Sequence, residues 1–554
     1  MPQSRRTQVF APSATNIGST HELALHRVFH MADATAYCSP RPEPGSGWRL
    51  MTSVYRSLSF AFLERGVLLV VGLASYVLIA RWLTPEEIGI YSVAAALVAI
   101  GQVIREFGIG NYLIQAKDPG QREIGATFGI SLALGFLLFA VFIAVAPFAG
   151  VFYRDARVAD VVRLVALGFL TTPFAVIPLA LLRRAMQFDR VAAINVVANS
   201  VGTAVTLGLA YLGFGPQSLA YGAIAIGITT AVGAWVASPV RGLWRPSLRG
   251  SRTVLSFGGR SVGAAVVTTV AMDISDLAVG RAISLVAAAV CSRANGLVNI
   301  FNQQVMAAVR SVALPAFAQA HRRGDDLEPL YTSSTAAVTA IAWPFLGFLG
   351  LFAKDTLRLM FGEQWDAAAP LVPVFAACGA LGASYSLALT LAIAIGRIDV
   401  ATRTDLIVQP IRALSIVLAA TVFQTVESVA WATLAVNVVG LPYFLLVKNR
   451  LLATDWGVYR RAILASAALA AVSLAIPAAS KILCAVDGMV GTPMLLTQAA
   501  ICVVIWLPSV FYLKHPLSMN PFIRKRRDRA VERFPALRWL FPAPPKPLIK
   551  EPNA

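Results

Sequence analysis

Ala271 to Arg310 reads AMDISDLAVGRAISLVAAAVCSRANGLVNIFNQQVMAAVR. It consists of two apolar segments, each long enough to cross a bilayer, joined by the short polar turn Gly280-Arg281. The second segment carries polar residues at steps of three and four, which places them on one helical face. These residues are Ser292, Asn295, Asn299, Asn302, Gln303 and Arg310. The pattern predicts a membrane protein with a polar inner cavity lined by this hairpin.

The first segment carries two carboxylates, Asp273 and Asp276, three residues apart and therefore on one helical face. A carboxylate near the middle of a bilayer is costly, so such groups usually face a bundle interior or a water-filled pathway. Two interpretations of the pair remain open. It is a site that couples transport to a proton or a cation, or it pairs with a buried arginine.

The composition of the whole chain agrees with a multi-pass membrane protein. Of 554 residues 57% are hydrophobic and 14% are charged, the mean hydropathy is +0.68 and the formal net charge is +19. Soluble domains are about a quarter charged. Part of the positive charge lies in residues 514–554, which predicts a cytoplasmic tail attracted to anionic membrane lipids rather than to nucleic acid. The five cysteines show no spacing typical of disulfides or of a zinc site.

Apolar runs of about 20 residues, the length that spans a bilayer as helix, predict about fourteen transmembrane helices in an all-α integral membrane protein. The predicted segments are 60–80, 88–110, 124–149, 161–182, 192–212, 219–237, 254–279, 285–309, 334–352, 370–395, 406–423, 429–447, 462–479 and 494–513. Residues 1–50 are polar and are predicted to form a disordered extension, with Met51 as an alternative start of the chain.

The distribution of basic residues predicts the orientation in the membrane. The odd-numbered connections between the predicted helices carry only Arg81, Arg154, Arg157, Arg281, Lys354, Arg358 and Lys481. The even-numbered connections carry more than twice as many Lys and Arg residues. Since basic residues concentrate in cytoplasmic loops, both termini are predicted to be cytoplasmic.

A weak internal repeat relates the two halves of the chain by a shift of two hundred residues. It aligns Arg81 with Arg281 and Ser92 with Ser292. The shift corresponds to six helices, so the two copies would enter the membrane from the same face as parallel halves. The predicted organisation is an N-lobe at 51–250, a C-lobe at 251–450, two further helices at 451–513 and a basic tail at 514–554.

Two motifs resemble a known family. ARWLTPEEIGIYSVAAALVAIGQVIREFGIGNYLIQ, at 80–115, and LMFGEQWDAAAPLV, at 359–372, are similar to the polysaccharide transporter family, the Wzx-type flippases of the multidrug/oligosaccharidyl-lipid/polysaccharide exporter superfamily. The likeness runs from about Met51 to about Asn449. It implies a fourteen-helix fold of two lobes in a bacterial inner membrane. It also implies movement of a polyprenyl-pyrophosphate-linked oligosaccharide, typically on undecaprenol, from the inner to the outer leaflet, with the polysaccharide polymerase machinery as a possible partner.

Such a substrate needs cations for its pyrophosphate and hydrogen-bonding groups for its sugars. Arginine suits the pyrophosphate, because its planar fork meets phosphate oxygens in pairs. Three arginines in predicted helices are candidates for the substrate path: Arg65, Arg105 and Arg293. The amides from Asn295 to Gln303, with Ser292, are candidates for hydrogen-bonding the sugars.

Each candidate has a structural alternative. Arg65 and Arg105 lie near predicted cytoplasmic helix ends, where they could instead extend to lipid headgroups. Arg293, about 12 Å into its helix, could instead pair with Asp273 or Asp276. At 100° per residue it points to the side of the amide face. The amides could instead hold helices together.

Two other functions remain open from the sequence. One is a small-molecule drug/cation antiporter of the same superfamily, against which the embedded arginines argue mildly. The other is a membrane-embedded polysaccharide polymerase or ligase. Because no nucleophile with a neighbouring base and no metal-ligand set can be assembled from the sequence, it predicts a protein that is not an enzyme and needs no cofactor.

Overall fold

The computed structural model describes residues 47–106, 109–115, 120–238, 246, 251–483, 491–519, 521–533, 538 and 541–542. The predicted extension therefore lies outside the described residues, apart from its last four, which are helical. The chain divides into two units, Met1–Ser59 and Phe60–Ala554. The packing described below belongs to the second unit.

The described residues form helices and connections without a strand. The helices are α1 Gly47–Trp82, α2 Pro85–Glu106, α3 Ile109–Gln115, α4 Gln121–Tyr153, α5 Ala156–Ala166, α6 Gly168–Arg184, α7 Phe188–Tyr211, α8 Gln217–Ala237, α9 Ser251–Ala282, α10 Leu285–Phe301, α11 Ala307–Arg323, α12 Leu327–Leu351, α13 Ala353–Phe361, α14 Leu371–Tyr385, α15 Leu387–Ala394, α16 Ile398–Val422, α17 Val426–Leu451, α18 Trp456–Leu483, α19 Thr492–Tyr512 and α20 Pro521–Arg533.

Eleven of the described helical segments are long and apolar enough to cross a membrane. Their outer faces carry large apolar side chains that are exposed, among them Phe148, Val236 and Val439 at 74, 81 and 73%. Exposed apolar surface on this scale is stable in lipid rather than in water. The prediction of an all-α, multi-pass membrane protein is confirmed, while the count of fourteen stays a prediction.

Three predicted segments differ in form from single straight helices. The fourth is divided at Leu167 into α5 and α6, and the tenth at Ser386 into α14 and α15. The eighth continues beyond its predicted end to Arg323, through a π-helical turn at Asn302–Met306 that joins α10 to α11. Single π turns within helices are rare and often lie at functional sites. This one contains two of the predicted polar residues, Asn302 and Gln303.

The shift of two hundred residues recurs in the helix bounds. α1 ends at Trp82 and α9 at Ala282, while α2 begins at Pro85 and α10 at Leu285. The caps also correspond. Thr84 accepts a hydrogen bond from the Glu87 N–H and Ser284 accepts one from the Ala287 N–H, each satisfying a free donor of the first helical turn.

Helices α2, α9 and α10 pack together at the centre of the described unit. α9 contacts α2, α10 and α16, and α10 contacts α2 and α14. One buried apolar cluster runs through these helices and includes Ile90, Val93, Ala288, Val298 and Phe375. The hairpin that the sequence singled out is therefore central rather than peripheral.

Candidate functional site

The first turn of α2 lies against the first turn of α10. Thr84 and Glu87 form a capping box, in which the Thr84 N–H donates to Glu87 Oε2 at 2.8 Å and thereby fixes where α2 starts. One turn further, a Cβ added at Gly89 would lie only 1.9 Å from the carbonyl oxygen of Leu285. Only glycine allows this approach of the two helices. We call this contact, with the Ala80 contacts described next, the seam.

The segment Gly362–Trp365 closes the seam from the other side. The Nε2 of Gln364 donates to the carbonyl of Ala80 at 2.5 Å, and the Nε1 of Trp365 donates to the same oxygen at 2.8 Å. Ala80 lies in the last turn of α1, whose final carbonyls have no partner within the helix. The two motifs that carry the family resemblance, 284 residues apart, therefore bind each other directly.

Two arginines support the seam. Arg81 donates from Nε to the Met360 carbonyl at 3.1 Å and from Nη2 to the Leu359 carbonyl at 2.5 Å. Arg358 forms a bidentate ion pair with Asp366, and this hydrogen bonding lowers the pKa of the Asp366 carboxyl. Asp366 is therefore ionised at neutral pH, and it holds the turn that carries Trp365.

Arg293 lies behind the seam in a box of three aromatic rings. Its Cζ is 4.2 Å from the ring centre of Tyr76, 4.8 Å from that of Trp365 and 5.0 Å from that of Phe361. The residue is 5% exposed, and its Nη1 has no hydrogen-bond partner among the described residues. A desolvated guanidinium over an aromatic face gains about 2 kcal/mol or more. The box therefore compensates part of the cost of burying the charge.

In the described part of the chain, no ion pair joins Arg293 to either aspartate of α9. Asp273 and Asp276 are both half-buried and lie one turn apart on α9. The Ser292 side chain lies within hydrogen-bonding reach of Asp276. The carboxylates thus adjoin the start of the polar face of α10, and whether they couple transport to an ion stays a prediction.

The polar face of α10, which continues into the π turn at Asn302–Met306, is partly exposed along its length. Ser292, Asn295, Asn299 and Asn302 are half-buried and Gln303 is exposed, whereas the neighbouring face, with Arg293 and Leu297, is buried. This division agrees with the helical spacing, which places Arg293 beside the amide row and not within it. We call these five residues the α10 stripe. Their amide and hydroxyl groups can hydrogen-bond a hydroxyl-rich ligand.

The two remaining predicted arginines lie apart from the Arg293 box. Arg105, half-buried, donates from Nη1 to Thr172 Oγ1 of α6 at 2.6 Å and lies 5.9 Å from the ring centre of Phe169. It is therefore held between helices and is not extended freely to solvent. Arg65 lies on α1, but its side chain is outside the described residues.

A second polar row, which the sequence analysis missed, lies on α16. Asp405, Gln409 and Arg412 fall within about 60° of one another on the helix. All three are half-buried, while Ile411 and Leu414 beside them are exposed. We call this row the α16 stripe. The 3-4 spacing was a detectable signal, but it has only three members and is interrupted by apolar residues.

Two ion pairs, each with one buried side chain, were also missed. Lys448 of α17 bonds to Glu328 of α12, with its side chain only 1% exposed, and Lys481 of α18 lies 3.8 Å from Asp355 of α13. Each pair joins two helices that are far apart in the chain. Because breaking a buried pair leaves an uncompensated charge, these residues serve the fold.

Comparison with known proteins places this architecture in a family. Residues 78–370, more than half of the chain, match the family described as polysaccharide biosynthesis protein. Teichuronic acid biosynthesis protein TuaB of Bacillus subtilis is 24% identical over 388 residues, 67% of this chain and 77% of TuaB. Succinoglycan biosynthesis transport protein ExoT of Rhizobium meliloti is 24% identical over 300 residues, 54% of this chain and 60% of ExoT.

Solved structures show the same fold at low identity. Lipid II flippase MurJ, in an inward closed conformation, superimposes with a TM-score of 0.65 and 12% identity, over 82% of this chain and 98% of MurJ. A multidrug resistance MATE family transporter of the MOP superfamily, in an inward-facing conformation, gives a TM-score of 0.52 and 17% identity, over 70% of this chain and 95% of its own. At these identities the likeness concerns the fold alone. The chain belongs to the polysaccharide biosynthesis protein family, and it has the helical transporter fold that MurJ and this MATE protein share.

Proposed function

We propose that the protein is a flippase, which moves polyprenyl-pyrophosphate-linked oligosaccharide repeat units across the bacterial inner membrane for exopolysaccharide or lipopolysaccharide synthesis. The observation that carries the proposal is the α10 stripe. It is an open row of hydroxyl and amide groups along an embedded helix, in a chain of the polysaccharide biosynthesis protein family.

The chemistry of this substrate explains why such a row is needed. Its polyprenyl tail is soluble in lipid, but each hydroxyl or charged group of its head would cost several kcal/mol in hydrocarbon. Asn295, Asn299 and Asn302 each offer two donors and an acceptor that can replace water around the sugars. Arg293, Arg105 and Arg65 are the proposed cations for the pyrophosphate.

Alternating access would use two lobes, residues 51–250 and 251–450, with 451–513 as two additional helices. The matching bounds and caps of α1–α2 and α9–α10 support a parallel repeat. The seam joins residues of both halves at the end where α2 and α10 begin. Its closure at this end, together with the predicted orientation, supports a state that is closed towards the outside.

The names of the relatives support the class of substrate. They refer to teichuronic acid, to succinoglycan and its transport, and to lipopolysaccharide. The proposed partners are undecaprenyl-pyrophosphate-linked oligosaccharide, the polymerase machinery that would receive it, and anionic lipids. The lipids would bind the tail helix α20, whose Arg524, Lys525 and Arg529 are exposed.

The test is the leaflet in which the lipid-linked oligosaccharide accumulates when the gene is deleted. Accumulation on the cytoplasmic face, reversed by the wild-type gene, supports the proposal. Complementation with Arg293→Ala and with Arg65→Ala measures the share of each arginine in transport. Arg322→Ala is the matched control, because Arg322 is exposed at the end of α11.

Two outcomes would replace the proposal. Accumulation on the outer face would mean that translocation proceeds without this protein, and a polymerase or ligase function would then take precedence. Unchanged oligosaccharide in both leaflets, with altered resistance to cationic drugs, would indicate the antiporter function.

A further inference from the structure

The α16 stripe contains polar atoms that are buried and have no partner. The Nε of Arg412 and the Oε1 of Gln409 are both inaccessible to solvent and without a hydrogen bond in the described part of the chain. Leaving such an atom unpaired is destabilising, and more so for a charged group. Two of these atoms, one turn apart on a helix, indicate a site that a ligand completes.

The position of Arg412 excludes extension to the membrane surface. It lies about 21 Å along α16 from Ile398 and about 15 Å from Val422, near the middle of the helix. An arginine at this depth is costly and normally marks an ion or substrate pathway. Among the described residues, the titratable groups that interact with its charge are Cys378 and Tyr385 on α14, whose ordinary forms at neutral pH are uncharged and do not balance it.

The corresponding helix of the first half, α7, carries polar residues that have partners within the protein. α7 and α16 each follow a residue with positive φ, Met186 and Gly396, which aligns them with a shift of 210 residues. This shift sets Asn195 against Asp405, and Asn199 against Gln409.

In the first half both amides are satisfied within the protein. The Nδ2 of Asn195 donates to Glu64 Oε1 on α1 at 2.7 Å, and the Nδ2 of Asn199 donates to the carbonyl of Asn195 at 2.8 Å. The position opposite Arg412 is Gly202, which packs against Ile226 and Gly222. In the first half this position is therefore filled by helix packing at Gly202. In the second half it holds the cation Arg412.

We propose that the α16 stripe is a second anion site, separate from the Arg293 box, which holds an anionic group of the lipid-linked substrate. Arg412 binds the anion, and Gln409 accepts a hydrogen bond from a neighbouring hydroxyl. The anion is a phosphate oxygen or a sugar carboxylate, and both suit a guanidinium fork. The proposal rests on the flippase function for the identity of the substrate.

The test measures binding directly, with purified protein in nanodiscs. The probes are farnesyl pyrophosphate, with farnesol as its neutral counterpart, and dodecyl glucuronide, with dodecyl maltoside as its neutral counterpart. In Arg412→Met we expect the Kd of one anionic probe to rise at least tenfold. A rise for farnesyl pyrophosphate assigns the site to phosphate, and a rise for dodecyl glucuronide assigns it to carboxylate.

Matched variants keep the result interpretable. Arg412→Lys retains the charge and should recover part of the affinity, while Arg322→Met should leave the Kd unchanged. Gln409→Leu should weaken binding of the affected probe, and Asn199→Leu, at the corresponding position of α7, should not. If Arg412→Met does not fold, the lysine and Gln409 variants still decide the question.

The proposal would be overturned if, for each anionic probe, Arg412→Met had the same Kd as the wild type. It would also be overturned if Arg322→Met lost as much affinity as Arg412→Met. The binding assay does not depend on transport. If deletion of the gene leaves the oligosaccharide distribution unchanged, the flippase function fails, while the Kd ratios still decide whether α16 holds an anion.

Discussion

The seam offers the sharpest test of the packing, through the substitution Gly89→Ala. The added Cβ would lie 1.9 Å from the Leu285 carbonyl oxygen, whereas ordinary contact begins at 3.4 Å, so α2 and α10 must separate locally by about 1.5 Å. The obstacle is backbone and cannot rotate away. Overpacking of this kind costs about 1–3 kcal/mol. If the substitution destabilises only the closed form of the seam, the equilibrium constant for opening rises about 5- to 150-fold.

The assay is the rate at which a buried reporter cysteine reacts with a membrane-impermeant maleimide. Val93→Cys, in a background with the native cysteines replaced, is suitable because Val93 is fully buried and lies beside Gly280. We expect Gly89→Ala to increase its labelling rate 5- to 150-fold. The control is Gly72→Ala on α1, where an added Cβ meets nothing within 4 Å.

The control matters because alanine favours a helix over glycine by about 1 kcal/mol at either position. Gly72→Ala should therefore leave the labelling rate unchanged. Labelling of Gly89→Ala at the wild-type rate, with an unchanged melting temperature, would refute the reasoning. An equal increase in both variants would also refute it, since the effect would then arise from helix stiffening and not from the contact with Leu285.

Three further predictions concern other contacts. Trp365→Phe removes one donor to the Ala80 carbonyl and should weaken the seam by about 1 kcal/mol, seen as roughly fivefold faster labelling in the same assay. Lys448→Met leaves Glu328 without its cation and should destabilise the fold by about 3–5 kcal/mol in thermal unfolding, with Glu328→Gln restoring most of the loss. Burial lowers the pKa of His515 to about 4. Since this lies below the unfolded value of about 6.5, stability should fall as pH drops from 6.5 to 4, and a His515→Gln variant should lack this dependence.

Much of the fold could be predicted from local sequence. A bilayer requires about 20 apolar residues per helix, so the apolar runs indicate nearly every long helix by composition alone. The polar face of α10 was equally accessible, because a row repeated at steps of three and four is a local property. The relation of Arg293 to that face followed from the angle per residue.

The surroundings of Arg293 could not be predicted in the same way. Its ring partners Tyr76 and Trp365 come from segments far away in the chain, and their approach depends on the packing of α1 and of the segment after α13. No periodicity carries that information. The same holds for Lys448, which looked like a basic residue of a connection but is buried against Glu328.

The π turn between α10 and α11 has a consequence for the evolution of the chain. A π turn contains one residue more than the α turn it replaces, so every side chain beyond Met306 is rotated by about 100° around the axis. Arg310, in line with the amides by simple counting, is thereby turned away from them. A relative that lacks this one residue should show a single gap in an alignment at 302–306. Its Arg310 would lie in line with the amides, so under the proposed function one codon gained or lost here would change the side chains that meet the saccharide.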